Sequence, residues 1–164
     1  MKHKVTKASI TAALCLLLVA CGANSSITKA YVQLAFNTFI AAEAIYNPGW
    51  HSAKLAADID RGIAAWGVGA GWQTNVINEL VLAQGDMGDI PNCNAQCQAV
   101  AIVFEGAIAS AILILQQQSG ARLATTTPQM GGKPVPLFLK NGKFDKAAYK
   151  AEFNKVSPPA VKMK

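Results

Sequence analysis

Histidine is almost absent from this chain, which has only His3 and His51, and His3 belongs to the basic start treated below. His51 alone cannot supply the two-histidine helix of a metalloprotease or a three-histidine zinc site. No Gly-x-Ser-x-Gly elbow occurs to carry a triad serine. The alternate glycines Gly67, Gly69 and Gly71 lack the lysine and hydroxyl of a phosphate loop. Acids are scarce as well, nine in 164 residues. Carboxylate pairs of the hydrolase kind could be drawn from Asp86 with Asp89, or from Glu43 with Glu105 if their helices pack together. Asp86 and Asp89 flank a glycine, where turn formation accounts for aspartate. Glu43 and Glu105 stand in apolar helices, where burial would raise their pKa, and an edge position is expected for both. No catalytic residue, metal ligand or cofactor is therefore nominated. Strand-like alternation of apolar and polar residues is also missing, while alanine abounds, which favours an all-α fold.

Cysteine is sparing too: four residues, Cys15, Cys21, Cys93 and Cys97. The first two lie in a distinctive start. Lys2, Lys4 and Lys7 precede an apolar run from Ala8 to Ala20, broken only by Ser9 and Thr11. That is the pattern of a secretory signal, too short for the roughly 20 apolar residues of a transmembrane helix. Its end, Leu18-Val19-Ala20-Cys21 followed by Gly22, resembles the lipobox of bacterial lipoproteins. The resemblance covers residues 1–22 and implies a signal peptide of residues 1–20, a diacylglycerol on the Cys21 sulfur and cleavage before Cys21. Acylation of the new amino group usually follows. Two or three acyl chains hold a protein stably, at about 0.8 kcal/mol per buried methylene. The implied address is the cell envelope, on the periplasmic face of the outer membrane in a Gram-negative host, because residue 22 is not Asp.

Cys93 and Cys97 remain, an even number in an oxidising compartment, so a structural disulfide is expected. Four residues apart on a continuous helix, their α-carbons would lie about 6.2 Å apart, within bridging range. Haem attachment and thioredoxin-like chemistry call for different spacings, and a zinc site for two more ligands.

The net charge of +6 is unevenly spread. From Cys21 to Gly132 the cations are Lys29, Lys54, Arg61 and Arg122 against seven acids. From Lys133 onward eight lysines face Asp145 and Glu152. A basic end on an acidic body suits a solvated tail, docking on the body itself, or contact with an anionic surface. Lys140, Lys143, Lys146 and Lys150 are the residues chosen for weak contact with anionic envelope polymer or lipid headgroups. Nucleic acid is not an expected partner, since arginine is nearly absent from this stretch; a protein partner is left unassigned.

The expected architecture is a bundle of about four helices over residues 27–120, joined to the lipid by a tether at residues 21–26. A linker and basic segment follow over residues 121–164. The first helix is predicted from a Ser25 or Ser26 cap to Tyr46, with Val32, Phe36, Phe39 and Ile40 inward. Asn47-Pro48-Gly49 should end it. Ser52 should cap a second helix to Trp66, with Leu55, Ile59, Ile63 and Trp66 inward and Lys54, Asp58 and Arg61 outside. The glycines after Trp66 should form a hinge. A third helix is predicted from Thr74 or Asn75 to Gln84, presenting Val76, Ile77, Leu80 and Val81, and a fourth from Asn94 to Gln118. Within the fourth, Ala99 to Leu115 is apolar enough to suggest a membrane span; with Glu105 inside it, the core helix of a bundle is the preferred reading. A short helix capped by Asp145 should run from Lys146 to Val156. Trp50, Trp66 and Trp72 could line a ligand cleft, though core packing is the preferred role.

Overall fold

A computed structural model of the chain describes residues 7–50, 52–88, 90–120, 129–130 and 133–164, with side chains from Ser25 onward except at 129, 130 and 133. His51, Asp89 and the Thr125–Pro128 part of the expected linker lie outside the described residues. The fold is mostly helical. Its elements are α1 (Lys7–Tyr46), α2 (Ala53–Ala65), α3 (Trp72–Met87), α4 (Ala95–Ser119) and α5 (Lys146–Val156). Two antiparallel hairpins of two-residue strands lie between α4 and α5: β1 (Gln129–Met130) with β2 (Lys133–Pro134), and β3 (Leu139–Lys140) with β4 (Lys143–Phe144).

Local chemistry sets most helix ends. Ser52, Asn94 and Asp145 each accept the backbone N–H three residues on, at Leu55, Cys97 and Ala148, and so satisfy one of the donors a helix start leaves over. Between α2 and α3, Gly67, Gly69 and Gly71 all have positive φ, so the glycine run is the turn that folds α3 back on α2. α3 starts earlier and ends later than predicted, at Trp72 and Met87. Gly71 replaces a side-chain cap at its start, and Gly85 is tolerated inside it at about 1 kcal/mol.

α1 departs further from expectation. It is one helix from Lys7 to Tyr46, so residues 21–26 are helical instead of an irregular tether. Alanine and leucine dominate the stretch before Ser25 and no proline interrupts it, leaving Gly22 as the sole weak point, again about 1 kcal/mol.

α4 is the centre. It packs against α1, α3 and α5, and nearly every residue from Val100 to Leu115 is buried. Phe39 of α1 stacks on Phe104 of α4 at a centroid distance of 4.7 Å. α1 buries Val32, Ala35, Phe39 and Ala42, while the predicted inward Ile40 is 38% exposed. The alanines win the interface because a small side chain lets two helix backbones approach, and dense packing then excludes the bulkier neighbour. The same rotation on α3 buries Ala83 and Met87 and leaves Val81 outside.

Asp58, expected outside, is buried and ion-paired with Arg61, whose Nε also donates to Glu79 at 2.9 Å. The basic end is no solvated tail: Phe138, Tyr149 and Phe153 join the core. Tyr31 stacks on Phe144 at 4.7 Å, and Lys146 lies 5.7 Å from the centre of the Tyr31 ring.

Candidate functional site

The last turns of α1 meet the first turn of α4, and two polar contacts join them. Asn47 ends α1 with its N–H on the Glu43 carbonyl at 2.7 Å, and its buried side chain donates to the Pro91 carbonyl at 2.9 Å. That bond fixes the Pro91-Asn92 turn, in which Asn92 takes a left-handed φ of 55°, a conformation asparagine tolerates better than most residues. Cys93 follows immediately, then the Asn94 cap, then Cys97 in the first turn of α4.

Cys93 and Cys97 are disulfide-bonded, with α-carbons 5.2 Å apart. The separation is shorter than in a continuous helix because Cys93 precedes the cap and the chain bends there. The two sulfurs are unequally placed: Cys97 is fully buried, whereas Cys93 is half-buried.

Glu43 reaches the buried half of this bridge. Its Oε2 lies 3.4 Å from Cys97 Sγ. A disulfide sulfur carries no hydrogen, so a hydrogen bond forms in this contact only when Glu43 is protonated and donates its carboxyl O–H. The side chain is 1% exposed, and Oε1 is buried with no hydrogen-bond partner among the described residues. Burial pushes the carboxyl up from 4.5 to about 7, because a charge costs most where water is excluded. The expected edge position for Glu43 is thus corrected.

Beside Glu43 an open groove of about 510 Å³ runs between α1 and the start of α2, bordered by Phe36, Ile40, Pro48, Trp50 and Ala56. Trp50 stands edge-on to Phe39 with centroids 5.9 Å apart. The other two tryptophans are elsewhere: Trp66 lies 6.0 Å from Trp72 and donates its indole N–H to Ser25 at 2.8 Å. Ser25 and Phe39 are about 21 Å apart along α1 at 1.5 Å per residue, so the three rings do not share a cleft.

Glu105 is also buried, 6% exposed, with Oε2 lacking a partner among the described residues and its carboxyl likewise pushed up by burial to about 7. It does not pair with Glu43. Glu43 meets α4 at Cys97, and Glu105 lies eight residues further along that helix, an axial rise of about 12 Å. Asp86 lies within α3 instead of a loop and bonds Lys54 at 2.5 Å.

The four chosen lysines gather around the β3–β4 hairpin and the start of α5. Lys140 and Lys143 face each other across the hairpin, and Lys146 and Lys150 are one turn apart on α5. All but the half-buried Lys150 are exposed. Cys21 lies in α1, and its side chain is outside the described residues.

Two structural features around these elements escaped the sequence. Asn47 reads only as a turn residue before Pro48-Gly49. Its burial depends on the Pro91 turn, 44 residues away, which no local pattern discloses. The strap at Val135–Phe138 crosses α4 so closely that a Cβ on Gly106 would meet the Pro136 carbonyl oxygen at 2.3 Å. Its one sequence signal was Ser110, a hydroxyl inside an apolar run, which must find a partner when buried.

Among the described residues, no three His, Cys, Asp or Glu side chains lie together to hold a metal ion. Comparison with known protein families, with curated proteins and with solved structures finds no match.

Proposed function

We propose that this chain is a lipid-anchored protein of the bacterial cell envelope, cut before Cys21 and held by acyl chains on that residue. Its helical bundle serves a structural or binding role. The observation that carries this reading is the Leu18-Val19-Ala20-Cys21 segment behind a basic, apolar start, and the packing of α4 is compatible with it. Among the residues whose side chains are described, α4 is the one helix long and apolar enough to cross a membrane, yet 78% of its most apolar stretch is buried inside the fold. Exposing it to lipid would strip α1, α3 and α5 from it and carry the Glu105 carboxyl into hydrocarbon, at roughly 2.5–3.5 kcal/mol for an ionised acid at mid-span. This packing speaks against an inserting, membrane-active role for α4, and the proposed attachment rests on the lipobox cysteine. The separation of Glu43 from Glu105 likewise speaks against a paired-carboxylate hydrolase.

The basic hairpin and α5 start would face anionic envelope polymer or lipid headgroups once the chain is tethered, each lysine adding up to about 1 kcal/mol near such a surface. The reading is tested by fractionating cells that express the wild type or a variant in which an ordinary cleavable signal replaces residues 1–21. The wild type should sediment with membranes, and the variant should be recovered as a soluble protein. A variant that stays in the membrane after carbonate washing would make α4 an insertion element and overturn the proposal.

A further inference from the structure

We propose that Cys93–Cys97 is a thiol–disulfide exchange site for dithiol substrates, with Cys93 the sulfur that is attacked and Glu43 the acid that protonates the departing Cys97. The argument starts from access. Cys97 is fully enclosed, so an incoming thiolate can reach only the half-buried Cys93. The bridge spans the N-terminus of α4, a 25-residue helix, whose unsatisfied N–H groups and dipole favour a thiolate there. Cys97 would be expelled into a site closed to water, where an unneutralised thiolate is costly. Glu43 Oε2 stands 3.4 Å from that sulfur, and its other oxygen is committed to no bond among the described residues. A carboxyl buried against a disulfide sulfur adds nothing to packing that an apolar residue would not supply better. A proton donor for the leaving sulfur needs this placement.

The exchange balances. The substrate thiolate's electron pair forms a bond to Cys93 Sγ. The Cys93–Cys97 bond breaks, its pair leaves on Cys97 Sγ, and the Glu43 proton moves to that sulfur. The substrate's second thiol loses its proton to solvent, attacks its own sulfur in the mixed disulfide and releases Cys93 as thiolate; Cys93 and Glu43 then each recover a proton from solvent. The substrate dithiol is oxidised to a disulfide, the protein disulfide is reduced to a dithiol, and Glu43 ends as it began. Asn47, through the Pro91 carbonyl, is the positioning residue that holds the Cys93 turn against the end of α1.

Among the described residues, Glu43 has few charged neighbours to confuse its titration. α4 offers Cys97 and, two turns on, Glu105. The start of α2 carries Lys54, engaged with Asp86 of α3. His51 lies outside the described residues.

The test uses the full chain with Cys15→Ser and Cys21→Ser, leaving one cysteine pair, and reduction by dithiothreitol from pH 5.5 to 8.5. Rates are divided by the thiolate fraction of the reagent. The corrected rate should fall about tenfold as pH rises through 7 and Glu43 ionises. Glu43→Gln should be about tenfold slower at pH 6 and flat with pH, while Glu105→Gln keeps the full profile. A flat profile in the unmutated pair overturns the proposal, as does an unchanged profile in a folded Glu43→Gln, or a bridge reduced only in denaturant. None of these outcomes depends on whether Cys21 carries lipid.

Discussion

Ser110 Oγ accepts the backbone N–H of Phe138 at 2.8 Å and donates its own hydrogen to the Gly106 carbonyl, also at 2.8 Å. This pair of bonds fastens the strap that precedes α5 onto the central helix, next to the glycine that lets the strap approach. The basic end of the chain is thereby built into the fold.

Breaking that fastening should cost the whole domain. Ser110→Ala leaves the buried Phe138 N–H unpaired, a loss of about 1–3 kcal/mol. Gly106→Ala drives a methyl into the Pro136 carbonyl, where overpacking costs at least about 1–3 kcal/mol. Urea unfolding followed by circular dichroism should show both midpoints lowered, with Gly106→Ala the worse.

The two buried acids give stability a pH dependence of definite sign. Their folded values, about 7, lie above the 4.5 of an exposed glutamate, so the folded state holds more protons between these limits. Their contribution to stability is therefore fully present below about pH 4.5, falls as pH rises to about 7, and levels off above. Each acid contributes on the order of 1–3 kcal/mol to the fall. Urea midpoints for Glu43→Gln and Glu105→Gln should each show part of the slope removed between pH 5 and 8, and the double variant most of it.

Asp58 is buried with its partner Arg61 half in solvent. Arg61→Ala should cost about 1–3 kcal/mol by stranding the carboxylate. Asp58→Asn should cost less, and the two changes together less than their sum. A double-mutant cycle in urea measures the difference.

Replacing Lys140, Lys143, Lys146 and Lys150 together by Gln should weaken binding of the unlipidated chain of residues 22–164 to anionic vesicles at low salt. The difference should vanish near 0.5 M salt, where the screening length shrinks to a few ångströms. Melting temperature should change little, apart from the Lys146 contact over Tyr31. Vesicle co-sedimentation across a salt series reads both effects.

Where the determining chemistry is local, the sequence was legible. Ser52, Asn94 and Asp145 act on amides three residues away, and the glycines after Trp66 need no partner to demand positive φ. α4 and α5 were accordingly placed within a residue of their ends. Which face of a helix turns inward depends on the neighbouring helix, so Ile40 and Val81 were placed inside and Ala35 and Ala83 outrank them. The candidate site was legible only in its parts. The cysteine pair stood out by count and spacing, but Glu43 belongs with Cys97 across 54 residues, and only the packing of α1 on α4 joins them.

The most direct test of the anchored-envelope reading is the intact mass of wild-type protein purified from membranes. The account predicts a chain beginning at Cys21 and carrying a diacylglycerol adduct, with or without a further acyl group on its amino end. A chain retaining residues 1–20, or one cut elsewhere with an unmodified Cys21, would contradict it.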